Sequence, residues 1–232
     1  AIGLLFVGNL VARGLFTYYV LRAFDVKISA RECITLGCAT SMTNFLMPMR
    51  SGAGLKAVYL KRLHGLPYTT FVSTMAAFYL FFIFVNSAIG VVAAGWFWLN
   101  GTPPSLGIFV TLGGALLGSG FLIFFAPFVR LPEGRIASKV ARVVEGWDKI
   151  RSDPPVLAAA FATVIANSAF AATGFYAGFH AFSLPISVPG VTLLMSSQTI
   201  GGLASFTPGA VGFQETIGMY FSSSLEATVA QT

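Results

Sequence analysis

Charge is what this sequence lacks. Asp, Glu, Lys and Arg make up 9% of its residues, where a soluble domain carries about 25%. None of the four occurs between Arg62 and Arg130, and none between Asp153 and Glu215. That absence excludes a soluble globular fold, because helices facing water need polar faces. Cysteine is scarce as well. Cys33 and Cys38 lie five apart on an expected helix, about 140° around its axis. They exclude a disulfide framework and a metal site, leaving small packing residues. No carboxylate pair shares a span, and no Gly-x-Ser-x-Gly, Cys-x-x-Cys or P-loop pattern occurs. Enzyme chemistry, an ATPase domain, a cofactor and a bound metal are therefore not expected.

What is present is apolar sequence: 56% of the residues are hydrophobic. Each uncharged stretch is long enough for two membrane-crossing helices of roughly 20 residues. The sequence predicts spans at Ile2–Leu21, Tyr68–Trp96, Leu106–Val129 and Val156–Phe179. The chain opens on AIGLLFVGNL, which reads as the inside of a helix without a basic leader, and stops at LEATVAQT. It reads as a fragment that lacks helices at both ends.

The net charge of +6 is concentrated in clusters. Arg22, Lys27 and Arg31 form one, Lys61 and Arg62 a second, and Arg130, Arg135, Lys139, Arg142, Lys149 and Arg151 a third. The connections WFWLNGTPPS and HAFSLPISVPG carry no formal charge. The positive-inside rule places the clusters in the cytoplasm and the neutral connections outside. Nucleic-acid binding is the weaker reading of the basic excess and is not expected, because the basic residues follow membrane-facing loops instead of forming one soluble face. Trp96 and Trp98 stand where an interfacial aromatic belt is expected. Asn100–Thr102 fits a glycosylation sequon but reads more simply as a turn. Ile136, Val140, Val143, Val144, Trp147 and Ile150 have helical spacing, with charges between them. They predict an amphipathic helix on the inner surface, ended by Asp153–Pro155.

Arg31 and Lys61 cannot both be cytoplasmic if the intervening apolar run crosses once. FLMPMRSGAGLK, from Phe45 to Lys56, supplies the reversal. Pro48 removes a helix hydrogen bond, while Gly52 and Gly54 permit a tight turn. Two half-helices, about Glu32–Met47 and Gly54–Leu63, are expected to meet within the membrane. Irregular backbone at that depth has to be shielded by protein or line a polar cavity. SFTPGAVGFQE repeats the break: Pro208 and Gly212 have the spacing of Pro48 and Gly52, with Gly209 beside the proline. The expected fold is all-α, a polytopic bundle with inverted repeats, each holding a broken re-entrant hairpin. Its organisation is a single transmembrane domain over 1–232. The first repeat spans 1–64, two connecting spans 65–130, the surface helix 131–153 and the second repeat 154–225. A substrate site is expected between the hairpin tips.

The candidate substrate-binding residues are Arg50, Lys56, Glu215, Arg13 and Asn44. Arg50 sits at the first hairpin tip and Lys56 near the start of its second arm. Unpaired amides and the positive dipole end there suit an anion. Glu215 follows the second break, as a counter-ion or titrating group. Arg13 and Asn9 lie mid-helix in the first span; Arg13 either pairs with Glu215 or snorkels to the surface. His64 and His180 read as interfacial residues, and Gln198 and Thr199 as candidates to line the second hairpin.

Three stretches together resemble the transmembrane flippase domain of the lysylphosphatidylglycerol synthase family. They are VARGLFTYYVLRAFDVKIS, NFLMPMRSGAGLK and PGAVGFQE, in that order. The resemblance implies lipid translocation between leaflets, with two re-entrant hairpins around a cavity. It carries over Arg13, Asn44, Pro48, Arg50, Gly52, Lys56, Pro208, Gly212 and Glu215. Ala53 stands where the family usually has an acidic residue, and Gln214 where it often has an arginine. The expected function is a flippase or exporter of an amphiphilic, anionic or head-group-bearing lipid in the cell membrane. Its partners are membrane lipids, with a homo-oligomer or an enzyme domain in a further segment or chain left open. A small-anion transporter or channel, and a noncatalytic anchor for a lipid-modifying enzyme, are the alternatives.

Overall fold

The computed structural model describes residues 2–47, 51–125, 135–183 and 186–203. Among these residues the chain is entirely helical. The helices are α1 (Ile2–Arg22), α2 (Ala30–Leu46), α3 (Gly52–His64), α4 (Tyr68–Leu99), α5 (Leu106–Phe125), α6 (Arg135–Arg151), α7 (Pro154–Ala181) and α8 (Val188–Leu203). Four of them, α1, α4, α5 and α7, are long and apolar enough to cross a membrane. They coincide with the four spans expected from hydropathy. The protein is a multi-pass helical membrane protein.

Local signals set the helix ends. Ser29 caps α2, its side chain accepting from the Glu32 N–H at 3.2 Å. Gly65, at φ +67°, ends α3 with N–H bonds back to Leu60 and Lys61. This is a left-handed stop that glycine adopts without cost, and Pro67 prevents any continuation. Asp153 caps α7 by accepting from the Val156 N–H, and Pro154 and Pro155 occupy the first turn, where a missing N–H is harmless. The expected end of the amphipathic segment at Asp153–Pro155 is thus also the start of α7.

α4 is the central helix, packed against α1, α3, α5, α6, α7 and α8. The most extensive interface joins α1 to α7. Phe16, Phe81, Phe161 and Val164 tie α1, α4 and α7 into one apolar layer. The Phe81 and Phe161 rings meet edge to face, with centroids 4.5 Å apart. A second apolar layer holds Ala93, Ala94, Ile108, Leu112 and Leu193, joining α4, α5 and α8. In lipid such layers associate through packing and interhelical hydrogen bonds, not through water release.

Two residues of the apolar stripe of α6 have protein as their partner. Trp147 and Ile150 are buried in the first layer, and the Trp147 indole N–H donates to the Ile123 carbonyl at 3.4 Å. Gly146 lies against Ser73 of α4. The expected amphipathic helix thus packs these two residues on protein. The surface that absorbs them is the end of the bundle formed by α4, α5 and α7. Trp96 and Trp98 are exposed at the end of α4, as an aromatic belt requires, and Asn100–Gly101 is a turn with Gly101 at φ +77°. Cys33 is buried, Cys38 is half-buried, and neither forms a disulfide.

Gly14 lets α2 press onto α1. A Cβ at this position would stand 2.5 Å from Ile34 Cα, and Gly37 faces Gly14 from the other helix. Backbone cannot yield as a side chain tip can. Gly14→Val is expected to destabilise the protein by about 1–3 kcal/mol, the usual cost of overpacking. Thermal unfolding in detergent measures it, with Gly3→Val, at a position with open space, as the neutral comparison.

Candidate functional site

The site is built on one stripe of α1. Asn9, Arg13 and Thr17 recur every four residues and so share a helix face. Thr17 is buried and its hydroxyl donates to the Arg13 carbonyl at 3.2 Å. That leaves its oxygen lone pairs facing outward, and Lys56 Nζ of α3 donates to them at 2.7 Å. Lys56 is half-buried between the two helices, and Arg13 adds a second positive charge to its surroundings. Arg13 itself is exposed on α1. Among the described residues, no carboxylate lies within ion-pair distance of Lys56. The result is a cationic patch on the side of a membrane helix, reached from α3.

Asn44 has a structural duty in this arrangement. Its side-chain oxygen accepts the Gly52 N–H at 3.0 Å, from one hairpin arm to the other. Ser51, the residue before α3, makes no side-chain cap, so Asn44 performs that task from α2. Gly52 is the glycine that the geometry demands. A Cβ there would collide with the Thr40 carbonyl oxygen and the Asn44 side chain. Gly54 faces open space, and no close approach requires it. Pro48, Arg50, Pro208, Gly209, Gly212 and Glu215 lie outside the described residues. Of the candidate residues, then, Arg13 and Lys56 are brought together, while Asn44 is placed to hold the hairpin.

At the opposite end of α2 and α3 stands a cluster absent from the sequence reading. Glu32 Oε1 accepts from the Tyr59 hydroxyl at 2.8 Å and lies 2.7 Å from His64 Nε2. His64, read from the sequence as an interfacial residue, is one of two groups that clamp Glu32. The residues are 27 and 32 positions from Glu32, so no local spacing announces them. Cys33, Leu60 and Leu66 pack nearby in a third apolar cluster. The cluster lies outside the four spans. The bonds from His64 and then Tyr59 hold the Glu32 carboxyl below its ordinary titration range, and the bond to Glu32 raises the Tyr59 phenol.

The other end of the α1 stripe reaches α7. Asn9 Nδ2 donates to the Asn167 carbonyl at 3.1 Å, and Asn167 Nδ2 donates to the Asn9 carbonyl at 3.2 Å. Thr17 and Asn167 were missed in the sequence. The four-residue period of Asn9, Arg13 and Thr17 would have found the first; nothing local marks the second.

The structure thus describes a multi-pass helical membrane protein with Lys56 of α3 set close to Arg13 of the span α1. Residues 1–230 match the family described as lysylphosphatidylglycerol synthase TM region, and the chain belongs to that family. No curated protein and no solved structure matches it.

The Glu32 clamp has a definite pH signature. A carboxyl whose folded titration is lowered contributes stability above its ordinary range, about 4.3, and loses it as pH falls through the lowered value. Amide protection at the ends of α2 and α3, measured relative to intrinsic exchange at each pH, should therefore be high at neutral pH and fall under acid. In Glu32→Gln the protection should be lower at neutral pH and lose that acid dependence.

Proposed function

We propose that this protein moves an anionic amphiphile between membrane leaflets, with the head group held by the cationic patch of Lys56 and Arg13. The observation that carries the reading is the Lys56 ammonium. It lies at an interhelical position, satisfied by the neutral Thr17 hydroxyl, with Arg13 close by. A charge placed in a membrane protein at this cost marks a ligand path. A phosphate-type head group supplies the negative charge and the acceptor oxygens. Lys56 stands on a hairpin whose arms expose Met42, Phe45, Leu46, Met47, Leu55 and Val58. Apolar surface beside a cation suits a lipid better than a small inorganic anion. The family assignment supports the same direction. No catalytic step is assigned to these residues, and the cell membrane is the proposed location.

In this reading α2 and α3 are a re-entrant hairpin, entered and left on the cytoplasmic side. Both are shorter than the spans, and Asn44 ties their inner ends together. The reciprocal bonds between Asn9 and Asn167 support an inverted repeat. A two-fold axis between α1 and α7 would generate just such an exchange, and these helices open the two proposed repeats. The paired asparagines are 158 residues apart, close to the offset of 160 that relates Pro48 to Pro208.

The hairpin is tested by single cysteines at Arg31 and Lys61 in a Cys33→Ala, Cys38→Ala background. Both should react with an impermeant thiol reagent from the cytoplasmic face alone; reaction from opposite faces would refute re-entry. Transport is tested by exchange of a labelled anionic phospholipid in proteoliposomes. Losing a hydrogen bond to a charged group costs about 1.5–3 kcal/mol, so Lys56→Ala should slow exchange roughly 10- to 100-fold, with Lys56→Arg intermediate. Unchanged exchange in Lys56→Ala would overturn the reading. Chloride or phosphate flux without lipid exchange would favour the small-anion transporter.

A further inference from the structure

α3 carries positive charge on two different sides. Lys56 turns to Thr17 of α1. Leu55, Val58 and Arg62 recur at intervals of three and four residues, and Lys61 follows Val58 by one turn, so these four share another face. All four are exposed. Lys61 stands about 140° around the helix from Lys56, so the two lysines have different surroundings. The exposed face is graded along its length. Leu55 and Val58 make it apolar, and the turn that ends the helix adds Lys61 and Arg62.

α4 continues this surface. The Lys61 ammonium lies over the Tyr68 ring, 4.1 Å from its centroid, which sets the end of α3 beside the start of α4. Tyr68 is exposed, and Val72, one turn on, is exposed on the same face of α4. Tyr68 also gives the depth. α4 is a span of 32 residues, about 48 Å long at roughly 1.5 Å per residue, and a bilayer with its head groups is about 40–45 Å thick. The first residue of α4 therefore stands at head-group level, where tyrosine is enriched, and Lys61 stands with it. Ala57 and Leu60 share an apolar cluster with Phe71, and Met75 packs against it, so α3 lies along the first turns of α4. Leu55 and Val58 thus sit on the hydrocarbon side of Lys61 and Arg62.

We infer that this face holds one anionic phospholipid of the adjoining leaflet, with its phosphate on Lys61 and Arg62 and an acyl chain along Val58 and Leu55. Charge complementarity carries the choice. Among the described residues, neither cation has a carboxylate within ion-pair distance. Glu32, the acid at this end of the hairpin, is already bonded to Tyr59 and His64. A guanidinium gives a phosphate two parallel hydrogen bonds, and an ammonium adds a compact charge. A choline lipid would bring its own cation against both residues. Cations in a last helical turn also suit the helix dipole, but the dipole requires neither an exposed apolar row beside them nor an aromatic ring under the ammonium. The lipid braces α3 against α4 from outside, while the other side of α3 keeps Lys56 on Thr17. The hairpin then depends on the anionic lipid content of that leaflet.

Lipid binding at this face is independent of lipid transport, so the test reads binding alone. Purified protein in detergent is titrated with dioleoylphosphatidylglycerol or dioleoylphosphatidylcholine, and tightly bound lipid is counted by native mass spectrometry. The glycerol lipid should bind this face about tenfold more tightly than the choline lipid, the effect of one charge-assisted hydrogen bond. Lys61→Gln with Arg62→Gln should remove one bound phosphatidylglycerol and leave Tm in detergent unchanged, because both side chains are exposed. The same loss should occur in a Lys56→Ala background, which keeps this site apart from the proposed transport patch. Lys27→Gln with Arg31→Gln, two exposed cations away from this face, should lose no lipid. Inorganic phosphate at the concentration of the lipid should not displace it. Equal affinity for the two lipids, or an unchanged count in Lys61→Gln with Arg62→Gln, would overturn the inference. So would an equal loss in Lys27→Gln with Arg31→Gln, which would mean diffuse charge, or displacement by phosphate, which would mean a soluble anion.

Discussion

Hydrocarbon offers no hydrogen bonds, so every polar group that enters it must find its partner inside the protein. That constraint organises this molecule. It explains why the described residues are helical throughout, and why hydroxyls such as Thr40, Thr43, Ser119 and Thr173 donate back to carbonyls of their own helix. It also explains the few bonds between helices. Asn9 and Asn167 satisfy each other's backbone carbonyls, Asn44 supplies the acceptor that the start of α3 lacks, and Thr17 receives Lys56. Each such bond fixes a helix pair more strictly than apolar contact could.

Close approach makes those bonds reachable. Gly14 and Gly37 let α1 and α2 touch along their backbones, Gly8 receives the Phe170 ring, and Gly90 receives Ser196. Small residues and polar residues therefore coincide. On α1, Asn9 follows Gly8, and Gly14 sits beside Arg13. A bulkier residue at such a position would separate the helices and strand the polar partner next to it. The stripe of Asn9, Arg13 and Thr17 thus runs along a helix held tightly by α7 on one side and by α2 on the other.

The molecule is also divided along its height. At one end, Glu32 with Tyr59 and His64 closes the base of α2 and α3, and α6 covers the ends of α4, α5 and α7 with Trp147 and Ile150. Deeper in, the cations Lys56 and Arg13 stand beside apolar surface, a combination suited to an amphiphile. Farther along the bundle, α4, α7 and α8 bury polar side chains, among them Asn86, Asn167 and Ser196.

Much of this was legible without coordinates, for a physical reason. Membrane depth imposes length and hydropathy, which are local properties, so α1, α4, α5 and α7 could be read from the gaps in charge. The breaks at the ends of α2 and α3 follow from proline and glycine, whose effects are also local. Ordered motifs were enough to indicate the family. What the sequence could not determine was which polar groups meet. Glu32 and His64 look like separate residues until the hairpin folds, and nothing local sets Asn44 against Gly52 or Asn9 against Asn167. Their partners are 8 to 158 residues away. Hydropathy carries no record of azimuth, and only the packing of helices about α4 turned those residues toward one another.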